Sequence, residues 1–365
     1  MQGSRLRVLV DAREFTPGRV TGIGRVLEGF VEALCHSRID ADILLAVNLP
    51  GSLPGRLKDF DAIRAKQIPE SFSRSERALS ALTKQNIHLF VSPYPKLPFF
   101  NCRCSAVHII HDILDLTHSA YKKRFRVLFD RLRLRQSLGK AALSWYDSFW
   151  SLQQTKQHLG FTGRNPRVRY PAINDSFRPE PQPGDNELLK KHNLEPGYIL
   201  TLGNGLPHKN LGVLLKIVPQ ISRPFLFVGV SENYQRHWKA KYPASSAVWI
   251  RHIADQDLPA ILRNSFCLAQ PSTAEGYGYP PLESMACGVP AVVSDIPVLL
   301  ETTGNQALTA DPAEPKTWIH AFDSLEHRSI HQTQVEKGLR WVKPLMGRKG
   351  WEKHVSDIED LLEGG

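Results

Sequence analysis

The chain alternates short apolar runs with segments whose apolar residues recur at helical spacing. Residues 5–10 (Arg-Leu-Arg-Val-Leu-Val) make the first run, stopped by Asp11. A turn bearing Gly22 and Gly24 follows, and residues 25–34 then place apolar side chains three and four apart, as on one side of a helix. Runs at 43–47, 88–92 and 107–111 predict further strands. Between 178 and 184, three prolines and a glycine break the rhythm and predict a linker. Strand-like runs resume at 198–202, 224–228, 248–250, 266–269 and 291–294. Alternation of strands with helices predicts α/β architecture with parallel sheets. Residues 350–362 carry Trp351, Val355, Ile358, Leu361 and Leu362 and predict a final amphipathic helix.

The length of 365 residues suits two domains better than one core. No apolar run approaches the roughly 18 residues needed to span a bilayer. The first run is too short and too soon interrupted for a signal peptide, so a cytoplasmic protein is expected. Cysteines 35, 102, 104, 267 and 287 form no even framework and read as reduced thiols. Cys102-Arg-Cys104 has the wrong spacing for a zinc half-site.

The net charge of +10 changes the picture by pointing to anionic partners. From Lys122 to Lys140 there are eight Lys/Arg against one acid, Asp130, interleaved with Phe125, Leu128, Phe129, Leu132 and Leu134. Such a helix can lie on an anionic membrane surface, or it can pack its leucines on its own domain. The pattern supports both readings equally. None of the usual nucleic-acid-binding motifs is present, so no nucleic acid is expected.

Three segments carry candidate chemistry. The strongest runs from Gln270 to Pro297 and includes Glu275-Gly276-Tyr277-Gly278-Tyr279-Pro-Pro-Leu-Glu283-Ser-Met-Ala-Cys-Gly288. Pro280 and Pro281 suit a helix start and Gly288 the residue just past its end, which puts Glu283 in the first turn. Peptide N–H groups at a helix start favour phosphate or sugar oxygens, and two carboxylates can hold hydroxyl pairs. The second segment, residues 200–215, contains Gly203-Asn204 and Pro207-His208-Lys209-Asn210 at a strand–turn–helix junction. The third is the Thr21-Gly22-Ile-Gly24 turn, weak alone, with His111-Asp112 at the end of a strand.

The 270–297 segment resembles the signature of glycosyltransferase family 4, in which seven residues separate two glutamates. Residues 200–215 resemble that family's G-x-x-x-P-x-K-N-L motif. Tightly in the second half and loosely in the first, the resemblance covers nearly the whole chain. It implies the GT-B fold: two facing Rossmann-like domains, with a C-terminal helix crossing back to the first. The domains expected are 1–178 for the acceptor, 179–349 for the nucleotide-sugar, and 350–365 for the returning helix.

The resemblance also implies a retaining, metal-independent transferase of polysaccharide assembly. In it Lys209 contacts the diphosphate, Glu275 the donor sugar, Glu283 the ribose and His111 the sugar near the reacting carbon. Gly22, Gly24, Gly203, Asn204, Gly276, Tyr277, Gly278 and Tyr279 would line the donor site, with the base near 250–254 around Ile253. The His-Asp segment and glycine loop are most similar to bacterial mannosyltransferases. That implies GDP-mannose as co-substrate, a saccharide or lipid-linked saccharide acceptor, and no cofactor. UDP- and dTDP-sugars stay open.

Two departures are visible: Asn204 where many relatives carry arginine, and Leu152-Gln-Gln-Thr-Lys156 where a Ser-Glu pair is common. Asp40-Ala-Asp42 matches the short DxD pattern of metal-dependent transferases, but it precedes a strand far from the other motifs. A dinucleotide oxidoreductase would need a third glycine where Leu27 stands. A catalytically silent scaffold is the remaining rival.

Overall fold

Each apolar run read as a strand is one, and every strand pairs with its neighbours in parallel. The computed structural model describes residues 5–17, 21–49, 51–117, 124–243 and 246–363. Two compact units emerge: residues 1–172 with 347–365, and residues 173–346.

The first unit holds β1 (Leu6–Asp11), β2 (Ala41–Val47), β3 (Ile63–Gln67), β4 (Leu89–Ser92), β5 (Ser105–Ile110), β6 (Leu143–Tyr146) and β7 (Pro166–Val168), in the order β3-β2-β1-β4-β5-β6-β7. β4 and β6 are buried at every residue, as strands are when helices cover both faces of a parallel sheet. β3, β6 and β7 were not anticipated. In β3 only Ile63 is buried, because the strand lies at the sheet edge and its Arg64, Lys66 and Gln67 meet solvent. β7 is a three-residue edge strand that opens on a proline, and β6 follows the helix ending at Lys140 after only Ala141 and Ala142.

The helix Gly22–Cys35 starts where Thr21 accepts a hydrogen bond from the Gly24 N–H at 3.0 Å. Its buried side carries Val26, Leu27, Phe30, Val31 and Leu34. The final helix, Glu352–Glu363, belongs to this unit. Buried Asp357 accepts hydrogen bonds from Trp145 Nε1 at 2.8 Å and from Arg169 Nε and Nη2, both at 2.8 Å. Arg167 makes a further contact with Asp357 Oδ1. Burial works against the charge on Asp357, but the hydrogen bonds from Arg169, Trp145 and Arg167 hold its carboxyl below the ordinary range. Rings close the joint: Phe30 to Trp145 at 5.3 Å, Trp145 to His354 at 4.9 Å, and His354 to Trp351 at 4.7 Å. Gly29 permits this approach, since a Cβ there would sit 2.9 Å from Trp351 Nε1.

The second unit repeats the plan with β8 (Tyr198–Leu202), β9 (Phe225–Val228), β10 (Val248–Ile250), β11 (Ser265–Gln270), β12 (Ala291–Ser294) and β13 (Leu308–Ala310), ordered β10-β9-β8-β11-β12-β13. Its core includes Ile199, Phe225, Phe227, Cys267, Val292, Trp318 and Phe322. β13, another short edge strand, was also unanticipated. The proline-rich stretch lies inside this unit rather than between the two. Pro179 packs on Gly288, and the Asp185 carboxylate takes both Nε and Nη2 of Arg263 at 2.8 and 2.7 Å. Upstream, the Ile173 N–H donates to the Leu345 carbonyl at 2.8 Å, so 173–178 join the end of the same unit. Residues 347–349 go with the first unit.

Replacing Asp357 by Ala leaves Trp145 Nε1 and two guanidinium groups without their shared acceptor. A loss of about 2–3 kcal/mol is expected. Urea unfolding of the full chain measures it, and an unchanged midpoint would refute the anchoring role.

Candidate active site

In each sheet the chain winds outward from a middle strand and then returns to that strand's other side. The reversal falls between β1 and β4 in one unit and between β8 and β11 in the other. Loops leaving the carboxyl ends of such neighbouring strands diverge and open a crevice. Gly203, Asn204, Lys209 and Glu275 through Gly278 lie on these loops, whereas Glu283 lies in the helix that follows and Ile253 after β10.

Leaving β8, the chain passes Gly203 and Asn204 and enters a short 3₁₀ turn, Pro207–Lys209. Leaving β11, it passes Pro271 and reaches Glu275 through Tyr279, where the helix Tyr279–Ala286 begins. The two loops are fastened together. The Thr273 N–H donates to the His208 carbonyl at 2.8 Å, and Asn210 Nδ2 donates to the carbonyls of Pro271 and Pro312 at 3.0 and 2.8 Å. Asn210 itself is left-handed, φ 51°, a conformation asparagine tolerates better than most residues.

This fastening brings Lys209 Nζ to 2.7 Å from Glu275 Oε1. Gln270 Nε2 and the Ser272 hydroxyl donate to the same oxygen, each at 2.6 Å. Burial works against a charge on Glu275. The Lys209 ammonium, the hydrogen bonds from Lys209 and Ser272, and His208 nonetheless hold its carboxyl below the ordinary range. Gln270, Ser272, Thr273 and Asn210 are contributors that motif spacing did not single out as site residues. Their signal was present only as polar residues directly after a buried strand.

Glu283 sits in the second turn of its helix rather than the first. The helix begins one residue before the prolines, at Tyr279, because Gly278 at φ +92° turns the chain into it. A Cβ on Gly278 would also come within 2.5 Å of Leu299 Cδ2. Glu283 is buried, 1% exposed. The helix ends as the sequence predicts: Gly288, φ +71°, donates to the Met285 carbonyl while Val289 donates to that of Ser284. Gly276 is buried, and the Tyr277 and Tyr279 rings meet edge-on at 5.1 Å. Asn204 is exposed and turns its Oδ1 onto the Leu206 N–H at 3.2 Å, a local turn rather than a contact with the carboxylates. Ile253 is buried in the loop that follows β10.

In the first unit, Gly22 and Gly24 form the first turn of the helix after β1. Thr21 donates to Glu14 Oε1, and the Tyr94 hydroxyl donates to Glu14 Oε2, both at 2.5 Å. Glu14, not singled out from the sequence, therefore ties the β1 loop to the loop after β4. His111 follows β5, with Nδ1 2.5 Å from Asp147 Oδ2 and Nε2 2.9 Å from the Pro93 carbonyl. Two acceptors facing two ring nitrogens suit the doubly protonated ring. Burial opposes that charge, but Asp147 by charge and hydrogen bond, then Asp112 and the Pro93 carbonyl, lift the pKa above the ordinary histidine value. With both nitrogens engaged, the His111 ring is held in one orientation.

Asp40 and Asp42 hold Arg5, whose Nε and Nη1 reach them at 2.6 and 2.9 Å, which accounts for the DxD pattern in structural terms. Among the described residues no group of three His, Cys, Asp or Glu side chains converges as a metal site would. Also among these residues, no helix is long and apolar enough to cross a membrane.

Residues 185–340 match the family described as Glycosyl transferases group 1. Most of the second unit thus matches a glycosyl transferases group 1 domain. The chain is 28% identical over 251 residues to O-antigen chain mannosyltransferase B of Escherichia coli, covering 65% of this chain and 66% of that one. It is 28% identical over 147 residues to O-antigen chain mannosyltransferase RfbU of Salmonella typhimurium, covering 39% and 41%. The aligned parts thus span just under two thirds and about two fifths of these relatives.

Two solved structures share the fold over nearly the whole chain. Sucrose-phosphate synthase from Thermosynechococcus elongatus has a TM-score of 0.78 at 16% identity, covering 99% of each chain. Anabaena Alr3699/HepE in complex with UDP-glucose has 0.75 at 16% identity, covering 97% of this chain and 99% of that one. At such identities the likeness establishes the fold, the two-Rossmann-unit arrangement called GT-B.

Replacing Lys209 by Met removes the cation from a largely buried carboxylate that is 10% exposed. Burial then dominates and raises the pKa of Glu275 above its unfolded value near about 4.3. Near neutral pH the variant should lose about 2–4 kcal/mol of stability. In the wild type the depressed Glu275 stabilises above the unfolded pKa, and that contribution fades as pH falls through the folded one. The gap between variant and wild type should therefore narrow toward pH 5, as Glu275 in the variant takes up its proton. Urea melts at both pH values test this, and a gap that stays constant counts against a charged Glu275.

Proposed function

We propose that the chain is a retaining glycosyltransferase that moves mannose from GDP-mannose onto a saccharide or lipid-linked saccharide acceptor. The work is placed in the cytoplasm, in polysaccharide or glycoconjugate assembly, and needs neither metal nor cofactor. The observation that carries this reading is the Lys209–Glu275 pair at the strand reversal of a glycosyl transferases group 1 domain. The naming of both relatives as O-antigen chain mannosyltransferases supports the donor sugar. A UDP-sugar is the second reading, favoured by the UDP-glucose complex of a structure with the same fold.

In this mechanism the bond from the anomeric carbon to the diphosphate oxygen breaks as the acceptor hydroxyl oxygen bonds to that carbon. The acceptor's proton passes to the leaving phosphate on the same face. Lys209 stabilises charge developing on the diphosphate. Glu275, held through Oε1, offers Oε2 to a hydroxyl of the donor sugar, and Glu283 serves the ribose. His111 serves the sugar near the reacting carbon, as the family resemblance implies. Gly22, Gly24, Gly203, Asn204, Gly276, Tyr277, Gly278 and Tyr279 line the donor site, with Ile253 beside the base. The protein supplies positioning and electrostatics.

Thermal unfolding with GDP, UDP, dTDP, ADP and NAD in turn, with and without EDTA, names the donor class. A ligand at about 100 times its dissociation constant stabilises by about 2.7 kcal/mol. GDP alone should raise the midpoint, with EDTA making no difference; a shift with UDP alone would move the proposal to a UDP-sugar. Lys209→Ala and Glu275→Ala should each lower turnover of GDP-mannose at least about a hundredfold with the fold retained. Normal turnover in both would refute the site.

A further inference from the structure

The helix Arg124–Lys140 does not present one apolar side to one environment. Leu134 and Leu138 are buried with Ile110, Ile113 and Tyr146 in the first unit's core. Leu128, Phe129 and Leu132 point the other way and are 58%, 46% and 61% exposed. Positions 128, 129 and 132 share one helical face by spacing. Lys122 and Lys123 lie outside the described residues, so the helix by itself does not define the surface.

Two other segments extend it. Phe99 and Phe100 follow β4 and are 42% and 45% exposed, and Phe72, which opens the helix Phe72–Leu82, is 54% exposed. The rings form one contiguous patch. Phe99 stacks on Phe129 at 6.2 Å and meets Phe100 edge-on at 5.3 Å. The Arg133 guanidinium lies over Phe72 and Phe99 at 5.3 and 5.8 Å, and that of Arg77 over Phe100 at 5.2 Å. Arg133 is fixed in turn, with Nη2 2.7 Å from buried Glu76. Exposed Arg74, Arg77, Arg131 and Arg135 lie on the same two helices, opposed by few acids such as Asp130.

We propose that this face, built from Phe72, Phe99, Phe100, Leu128, Phe129 and Leu132, docks on an anionic lipid bilayer. Phenyl and leucyl side chains enter the headgroup–acyl boundary while the surrounding arginines pair with anionic headgroups. Charge selects this occupant. A second copy docked about a two-fold axis would set the same arginines against one another. A single-stranded nucleic acid would stack on the phenyl rings but gain nothing from the two protruding leucines. The surface stands independently of which nucleotide-sugar the second unit takes.

Co-sedimentation of the full chain with vesicles tests the proposal. One set is phosphatidylcholine alone and the other contains phosphatidylglycerol. The wild type should bind only the anionic vesicles, and more weakly as salt is raised. Phe100→Ser with Leu132→Ser should weaken binding by about tenfold or more at an unchanged melting temperature. Arg74→Gln with Arg135→Gln should remove part of the salt-sensitive affinity. Anionic-vesicle binding unaltered in the Phe100/Leu132 variant would overturn the proposal, as would failure of the wild type to bind. Light scattering supplies the last arm: a wild-type dimer that this variant converts to monomer would assign the face to a second copy instead.

Discussion

A carboxylate largely withdrawn from water stays ionised only if donors converge on it, and Glu275 meets that condition through a single oxygen. Lys209, Gln270 and Ser272 all reach Oε1. Because these donors come from two loops and a strand end, the carboxylate dictates how the segments after β8 and β11 lie against each other. Backbone and amide bonds from Thr273 and Asn210 hold the same arrangement, so the pair is supported from both sides. The left-handed turns at Gly278 and Gly288 then set where the following helix starts and stops. Glu283 is brought into the interior as a consequence.

The first unit solves a similar problem with more charge. At the carboxyl edge of its sheet, Asp11 grips Arg13 through two hydrogen bonds, and Arg13 passes on to Ser75 and Glu76. Glu76 also takes Arg133 and the Phe99 N–H. This chain of paired ions runs from the end of β1 to the base of the exposed aromatic patch. Buried ion pairs give little net stability but penalise rearrangement heavily, since parting either partner strands a charge. The patch thus rests on a guanidinium whose position is fixed from beneath. Phenyl rings held this way present apolar area without the freedom to fold back on themselves.

The arginines are accordingly put to two uses. Arg13, Arg133, Arg167, Arg169 and Arg263 neutralise buried or partly buried carboxylates. Arginine suits that task because its planar fork can meet both oxygens of a carboxylate at once. Arg74, Arg77, Arg131 and Arg135 instead stay at the surface. Net charge counted from composition does not separate the two groups.

Period and punctuation alone determined the α/β class, most strands, the helix after Gly22 and the end of the helix at Gly288. Each depends on neighbours within a few residues, which is where propensity and turn chemistry act. Short polar edge strands escaped notice because β3, β7 and β13 owe their existence to a neighbouring strand rather than to their own composition. The motif around Glu275, Glu283 and Lys209 was legible from its resemblance to a family, but the contacts among these residues were not. Only the folded chain decided that Lys209, 66 residues before Glu275, would share an oxygen with it. In the same way, Phe72, Phe99 and Phe129 stand apart in sequence and meet on one face because strand order and helix docking put them there. Such juxtapositions arise from packing across a sheet, and local sequence carries no term for that.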